Sequence, residues 1–140
     1  MHTAVAYSVY NEKTNLWSEP KLVSDDGTAD MYPKLATDGK RVYLAWVDTN
    51  RDDFIESTSV SEMAKSCEIS VAEFDIENEC FKNITRLTND EYADINPSLL
   101  VKEGKAYVSW ITNENNDVVR LSGHNTVMCA TNSEGEWKHI

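Results

Sequence analysis

An all-β chain built from repeated four-stranded antiparallel units is what this sequence predicts, on three observations. The 140-residue chain repeats itself at an offset of 64 positions. Its apolar residues fall in short alternating runs bounded by turn residues, with no long segment of helical period. The strongest of these runs, Val42 to Val47, is apolar on both of its faces, so it requires cover on both sides.

The repeat is visible residue by residue. Ala29-Asp30-Met31-Tyr32-Pro33-Lys34-Leu35 falls on Ala93-Asp94-Ile95-Asn96-Pro97-Ser98-Leu99. Without a gap, Tyr43 then meets Tyr107 and Trp46 meets Trp110. Upstream in the same register Asp26 meets Asp90, Trp17 meets Phe81, Tyr10 meets Phe74 and Val5 meets Ile69. A third, partial copy follows at 56 positions, where Phe81 recurs as Trp137 and Val71 as Val127. Altered spacing with a kept strand pattern marks a loop of variable length. That loop runs from Asp48 to Ser66 in one copy and from Thr112 to His124 in the next.

In chain order, strands c and d of a leading unit are expected at Ala4–Tyr10 and Lys21–Ser24. Strand a of the next unit is expected at Pro33–Ala36, closed by Asp38-Gly39, a dipeptide suited to a tight hairpin because glycine accepts positive φ. Strand b is Val42–Val47, with Val42, Leu44 and Trp46 on one face and Tyr43, Ala45 and Val47 on the other. Strand c is Glu68–Phe74 and strand d is Ile84–Thr88, with a polar turn between them. A short helix is expected in the long loop, within Ser59–Ser66. The following unit repeats the order with Pro97–Val101, Ala106–Ile111, Asn125–Ala130 and a strand beginning at Trp137.

A four-stranded unit with two apolar faces cannot bury them alone and needs neighbours stacked against it. Such units repeated radially are the blades of a β-propeller, and about two and a half blades are expected here. Residues 1–28 supply strands c and d of a preceding blade, 29–92 a complete blade, and 93–140 a following blade that stops inside its last strand. Closed propellers have about four or more blades, so the chain is expected to belong to a longer one.

Composition narrows the partners. Apolar residues make up 41% and charged residues 26%, a balance that fits a folded chain, and the net charge is −11. That charge repels nucleic-acid backbones and anionic membranes, and leaves glycans, proteins and cations as candidates. No apolar run approaches the roughly 20 residues of a membrane-spanning helix, and Met1 to Val5 lack the opening of a signal peptide. Cys67, Cys80 and Cys129 are widely spaced, and with three histidines they do not assemble a zinc site; small buried thiols are expected.

The stretch Trp17-Ser18-Glu19-Pro20-Lys21-Leu22-Val23-Ser24, followed by Pro33–Gly39 and Val42–Trp46, resembles the sialidase-like, BNR-type propeller blades. Their Asp-box positions correspond to Tyr10–Trp17, Phe74–Phe81 and Ala130–Trp137, of which the closing aromatic is kept. The resemblance implies a secreted or cell-surface parent protein. It also implies that the loops from strand d to the next a, and from b to c, share one face around the central channel.

No catalytic constellation is recognisable. The positions matching the sialidase arginine motif read Asp30-Met31-Tyr32-Pro33 and Asp94-Ile95-Asn96-Pro97, without arginine. An anion clamp needs arginine's planar fork at fixed places, and Arg41, Arg51, Arg86 and Arg120 are scattered. The expectation is a binding or scaffold segment whose ligand, a glycan or a protein, meets the acidic loop face. The alternative is a fragment of a sialidase-like glycoside hydrolase with its catalytic residues elsewhere in the parent. Candidate ligand contacts are Asp30, Tyr32, Asp48, Asp52, Asp53, Tyr92 and Asp94. No organic cofactor is expected. Asp48, Asn50 and Asp52 place oxygen ligands at alternate positions, as at the opening of a Ca2+ loop, although that loop's glycine and closing glutamate are absent. Trp17, Trp46, Trp110 and Trp137 are expected to pack between units.

Overall fold

The runs rich in β-branched and aromatic residues become strands that pair with their neighbours in sequence. The computed structural model describes residues 2–140; Met1, the first residue of the expected leading unit, lies outside them. Strands β5 (Asp30–Thr37), β6 (Val42–Thr49), β7 (Cys67–Asp75) and β8 (Cys80–Arg86) form one antiparallel sheet in that order. Strands β9 (Ala93–Lys102), β10 (Lys105–Asn113), β11 (Asn125–Ser133) and β12 (Glu136–His139) form a second sheet with the same order. Ahead of them lies an interrupted hairpin, in which β1 (Ala6–Tyr7) pairs with β4 (Lys21–Leu22) and β2 (Tyr10–Asn11) with β3 (Leu16–Trp17). The protein is therefore all-β, with α1 (Val60–Ala64) the helix among the described residues.

The first hairpin departs from the expected pair of continuous strands. Proline has no N–H to donate to a ladder, and Pro20 falls inside the returning strand. Ser18 bridges the gap, donating from its backbone N to Val9 O at 2.8 Å and accepting from Val9 N through Oγ at 2.9 Å. Most other strands extend past their expected ends; β9 begins at Ala93 rather than Pro97, and β8 is displaced, running Cys80–Arg86 rather than Ile84–Thr88. In β8, the register against β7 shifts between Val71 and Glu73, where Asn83 adopts a φ of 54°. A bulge of this kind breaks the alternation that would have revealed the strand in sequence.

Strand β6 is covered on both faces, as its pattern requires. Leu44 and Trp46 join Val5 and Ala72 in a cluster against the leading hairpin, with Val23 and Phe81 packed beside them. Ala45 and Val47 face the other way and meet Ile69, Val71, Ala93, Ile95, Val108, Trp110 and Ala130. That second cluster is the seam between the two four-stranded sheets. Tyr43 extends it outward and meets Trp137 edge-on at 6.1 Å. Burying side chains of this size contributes about 1.5–3 kcal/mol each, which makes the stacked faces the main source of cohesion.

Trp46 and Trp110 occupy one device built twice. Opposite Trp46 the register skips from Met31 to Lys34, and opposite Trp110 from Ile95 to Ser98. The extra residues are Tyr32-Pro33 and Asn96-Pro97, and Tyr32 and Asn96 both take positive φ, 55° and 54°. The bulge makes room for an indole buried to 1% exposure in each sheet. Trp137 is half-buried, but Trp17 does not pack between units as expected. It is 68% exposed and rests on Tyr10 at 5.2 Å, because among the described residues no apolar side chain of a neighbouring sheet covers the outer end of the leading hairpin.

The hairpin tips of the two sheets are also tied. Asp38 accepts backbone hydrogen bonds from Lys40 and Arg41 in its own turn and from Gly104 N, at 2.7 Å, in the equivalent turn of the next sheet. Arg41 returns a bond to Gly104 O at 3.4 Å. The short helix falls where expected, and Ser59 caps it by accepting from Glu62 N.

Candidate acidic cleft between the two sheets

The link from β8 to β9 crosses from one sheet to the next and carries Asn89, Asp90, Glu91 and Tyr92. Beside it opens a cleft of about 440 Å³ whose walls include Thr88, Asp90, Tyr92, Asp94, Trp110 and His139. Asp90 sets the shape of the link by accepting from Tyr92 N at 2.7 Å. Asp26, 64 positions earlier, makes the same turn by accepting from Thr28 N at 3.0 Å. Short acidic side chains stabilise turns in this way because they mimic a backbone acceptor.

Three carboxylates converge at the cleft. Oxygens of Glu68, Asp90 and Asp94 lie within 4.8 Å of one another, with Glu68 and Asp94 buried and Asp90 exposed. Glu68, the second residue of β7, is fully buried. One of its oxygens, Oε1, accepts from Asn50 Nδ2 at 2.8 Å and from Asp90 N at 3.0 Å; the other, Oε2, has no donor. Asp94, near the start of β9, is 1% exposed. Its Oδ1 accepts from the Thr112 hydroxyl, and its Oδ2 has no donor. Trp110 Nε1 has no hydrogen-bond partner, although it lies near enough to Asp94 to favour its charged form weakly.

Burial and crowding both disfavour charge here. Burial pushes the Glu68 carboxyl up to about 7, and the charges of Asp94 and Asp90 push the same way against the Thr88 hydroxyl and Asp90 N. Asp94 is raised as well, by burial first and by the Asp90 charge after the opposing Thr112 and Thr88 hydroxyls. The effect reaches Cys67, pushed up to about 11 by burial and then by Glu68 and Asp94. Among the described residues, no lysine or arginine pairs with any of the three carboxylates.

The equivalent place at the preceding interface is built differently. Asp30 Oδ1 accepts from Trp46 Nε1 at 2.8 Å, the bond that Trp110 fails to make. Asp48 stands where Thr112 stands in the next copy, and its Oδ2 takes Arg86 Nη2 at 2.7 Å and Ser70 Oγ at 2.8 Å. Ala4 occupies the position 64 residues before Glu68. At one site a guanidinium pairs with Asp48 and an indole hydrogen-bonds Asp30, while its copy has three carboxylates and, among the described residues, no cationic side chain paired with them.

The residues expected to bind ligand divide accordingly. Tyr92, 43% exposed, and Asp94 come together in the cleft. Asp30 and Asp48 are buried in the preceding, satisfied network. Tyr32 is exposed and lines a separate, mainly apolar hollow of about 240 Å³ with Phe54, Met63 and Val118. Asp52 is exposed, and Asp53 holds Arg51 in a fork-like pair beside Phe54. For the expected Ca2+ loop, Asp48 is engaged by Arg86 and the Asn50 amide is donated to Glu68. Glu68, Thr112 and His139 were not expected at a site. The available signal was Glu68 itself, a glutamate at the head of the otherwise neutral run Ile69-Ser70-Val71-Ala72.

Comparison of the chain with models of known protein families, with curated proteins and with solved structures returned no match.

Proposed function

We propose that the chain is a run of about two and a half β-propeller blades acting as a non-catalytic binding or scaffold segment of a larger secreted or cell-surface protein. The observation that supports this most is the double occurrence of one unit. Two four-stranded meanders in the same order stack face to face, each with a tryptophan set opposite an X-Pro bulge. The arginines favour binding over sialidase-type chemistry. Arg86 is held by Asp48, Arg51 by Asp53 and Arg41 by the Gly104 carbonyl, so three of the four are committed to the chain's own groups.

The ligand of this reading is a glycan or a protein segment at the acidic rim. Tyr92 supplies an aromatic face, and Asn89, Asp90, Glu114 and His139 supply acceptors and donors around it. Amphipathic rings flanked by convergent polar groups suit sugar hydroxyls above an apolar sugar face. The test is titration of the chain against a glycan panel, followed by Tyr92→Ala and Glu114→Gln. A bound glycan should lose at least about tenfold in affinity in either variant while the melting temperature stays near that of the parent. Unchanged affinity in both variants would place the ligand elsewhere, and no binding across glycans and protein partners would leave only the scaffold role.

A further inference from the structure

We propose that Glu68, Asp90 and Asp94 form a site for one divalent cation of calcium size, seated where the β8–β9 link passes between the two sheets. The proposal stands on local geometry, whether or not the sheets are propeller blades. Glu68 Oε2 and Asp94 Oδ2 are sealed from solvent and make no hydrogen bond; the single Thr88 hydroxyl beside both carboxyls has one proton and serves at most one of them. An unpaired carboxylate oxygen in a protein interior is strongly disfavoured, and two of them in one cluster call for a positive partner. No side chain supplies it, since the described residues place no lysine or arginine in an ion pair with the three.

The donor set selects the kind of ion. All three ligands offer oxygen and none offers nitrogen or sulfur, which favours a hard cation over zinc or copper. The oxygens lie within 4.8 Å of one another, close enough to share one ion. Ca2+ accepts irregular carboxylate sets, whereas Mg2+ demands near-ideal octahedral geometry and gives up its water reluctantly, so a partly buried carboxylate site favours Ca2+. Asp90 brings the third carboxylate from the open side, and the cleft beside it admits the ion with the waters that complete its shell.

The comparison between copies argues that the cluster is more than surplus acidity. Its counterpart at the preceding interface is satisfied internally, by Trp46 on Asp30 and by Arg86 on Asp48. Only the second site combines a buried glutamate with a buried aspartate lacking its indole donor.

Tb3+, a luminescent ion of calcium size, provides the first probe, because Trp110 lies in the same cleft and can sensitise it. The full chain should show saturable, one-to-one Tb3+ luminescence that Ca2+ displaces. Ca2+ should also raise the melting temperature by several degrees, and Mg2+ at equal concentration by less than half as much. Glu68→Gln and Asp94→Asn should each weaken binding at least about tenfold, while Glu77→Gln, on an exposed turn, should not. In chelator, Glu68→Gln should melt at or above the parent chain, which separates lost binding from lost folding. Absence of saturable binding would overturn the proposal. So would equal weakening by all three variants, the mark of diffuse attraction to a chain of net charge −11, or abolition by Asp52→Asn with Glu68→Gln still binding.

Discussion

Replacing Arg86 by methionine keeps most of the side chain's apolar stem and removes its charge, and it should destabilise the protein by about 2–3 kcal/mol. Asp48, 5% exposed, accepts from Arg86 Nη2 at 2.7 Å and Nε at 3.2 Å through the same oxygen that takes Ser70 Oγ. Loss of one partner from a fully buried pair costs about 3–5 kcal/mol, because the remaining charge stays desolvated. The Arg86 side chain is 32% exposed, so water already weakens its hold and the lower figure applies. Crowding adds to the effect, since Glu68 lies directly across the ladder from Asp48. Urea unfolding followed by far-ultraviolet circular dichroism reads the change. With a urea slope of roughly 1.5 kcal/mol/M, the midpoint should fall by roughly 1.5 M. Asp48→Asn combined with Arg86→Met should recover most of the loss, because the orphaned charge is gone. A single variant within about 0.3 M of the parent, or a double variant no better than the single, would refute the claim that Arg86 compensates the buried Asp48 charge.

Three further expectations follow from the same physics. Asp38, held down to about 2 by the backbone N–H groups of Arg41, Lys40 and Gly104, gives stability that is present above the ordinary aspartate range and lost as pH falls towards 2. Melting temperatures at pH 5, 3 and 2 should therefore drop less for Asp38→Asn than for the parent, and parallel curves would count against the turn-to-turn tie. Cys67, pushed up to about 11 by burial, should resist a thiol reagent at pH 8 that labels the half-buried Cys80 and Cys129. Three equal labelling rates in mass spectrometry would contradict that burial. Tyr32→Asn should stabilise by about 0.5–1 kcal/mol, since Tyr32 is exposed at a φ of 55° and asparagine tolerates that region; Asn96 already serves at the equivalent bulge. A lower melting temperature would mean that Tyr32 makes packing contacts worth more than its strain.

Much of the strand order was legible because a period of 64 residues brings aromatic, proline and turn positions into register together. Val42–Val47 shows the pattern at its clearest. A strand buried on both faces reads as apolar throughout, and Leu44 with Trp46 and Ala45 with Val47 do separate onto opposite clusters. Strand ends were less legible. The start of β8 was expected at Ile84 rather than Cys80, because the bulge at Asn83 interrupts the alternation without ending the pairing. Trp17 misled for a different reason: equivalence to Phe81 in sequence says which position a residue holds, not whether anything lies over it.

The acidic cleft divides along the same line. Local sequence determined the turns at Asp26 and Asp90, because an aspartate and the amide two residues on are sufficient to make them. It also determined that Asp30 and Asp94 hold matching positions. The tertiary structure alone decided that Asp30 meets an indole and Asp48 a guanidinium, while Asp94 meets Glu68 from the neighbouring sheet. Alternation along a strand sets which face a side chain takes, whereas charge balance depends on what the stacked sheet brings to that face. Glu68 and Asp94 lie 26 positions apart in sequence and within 4.8 Å in space, and only the packing of one sheet on the next closes that distance.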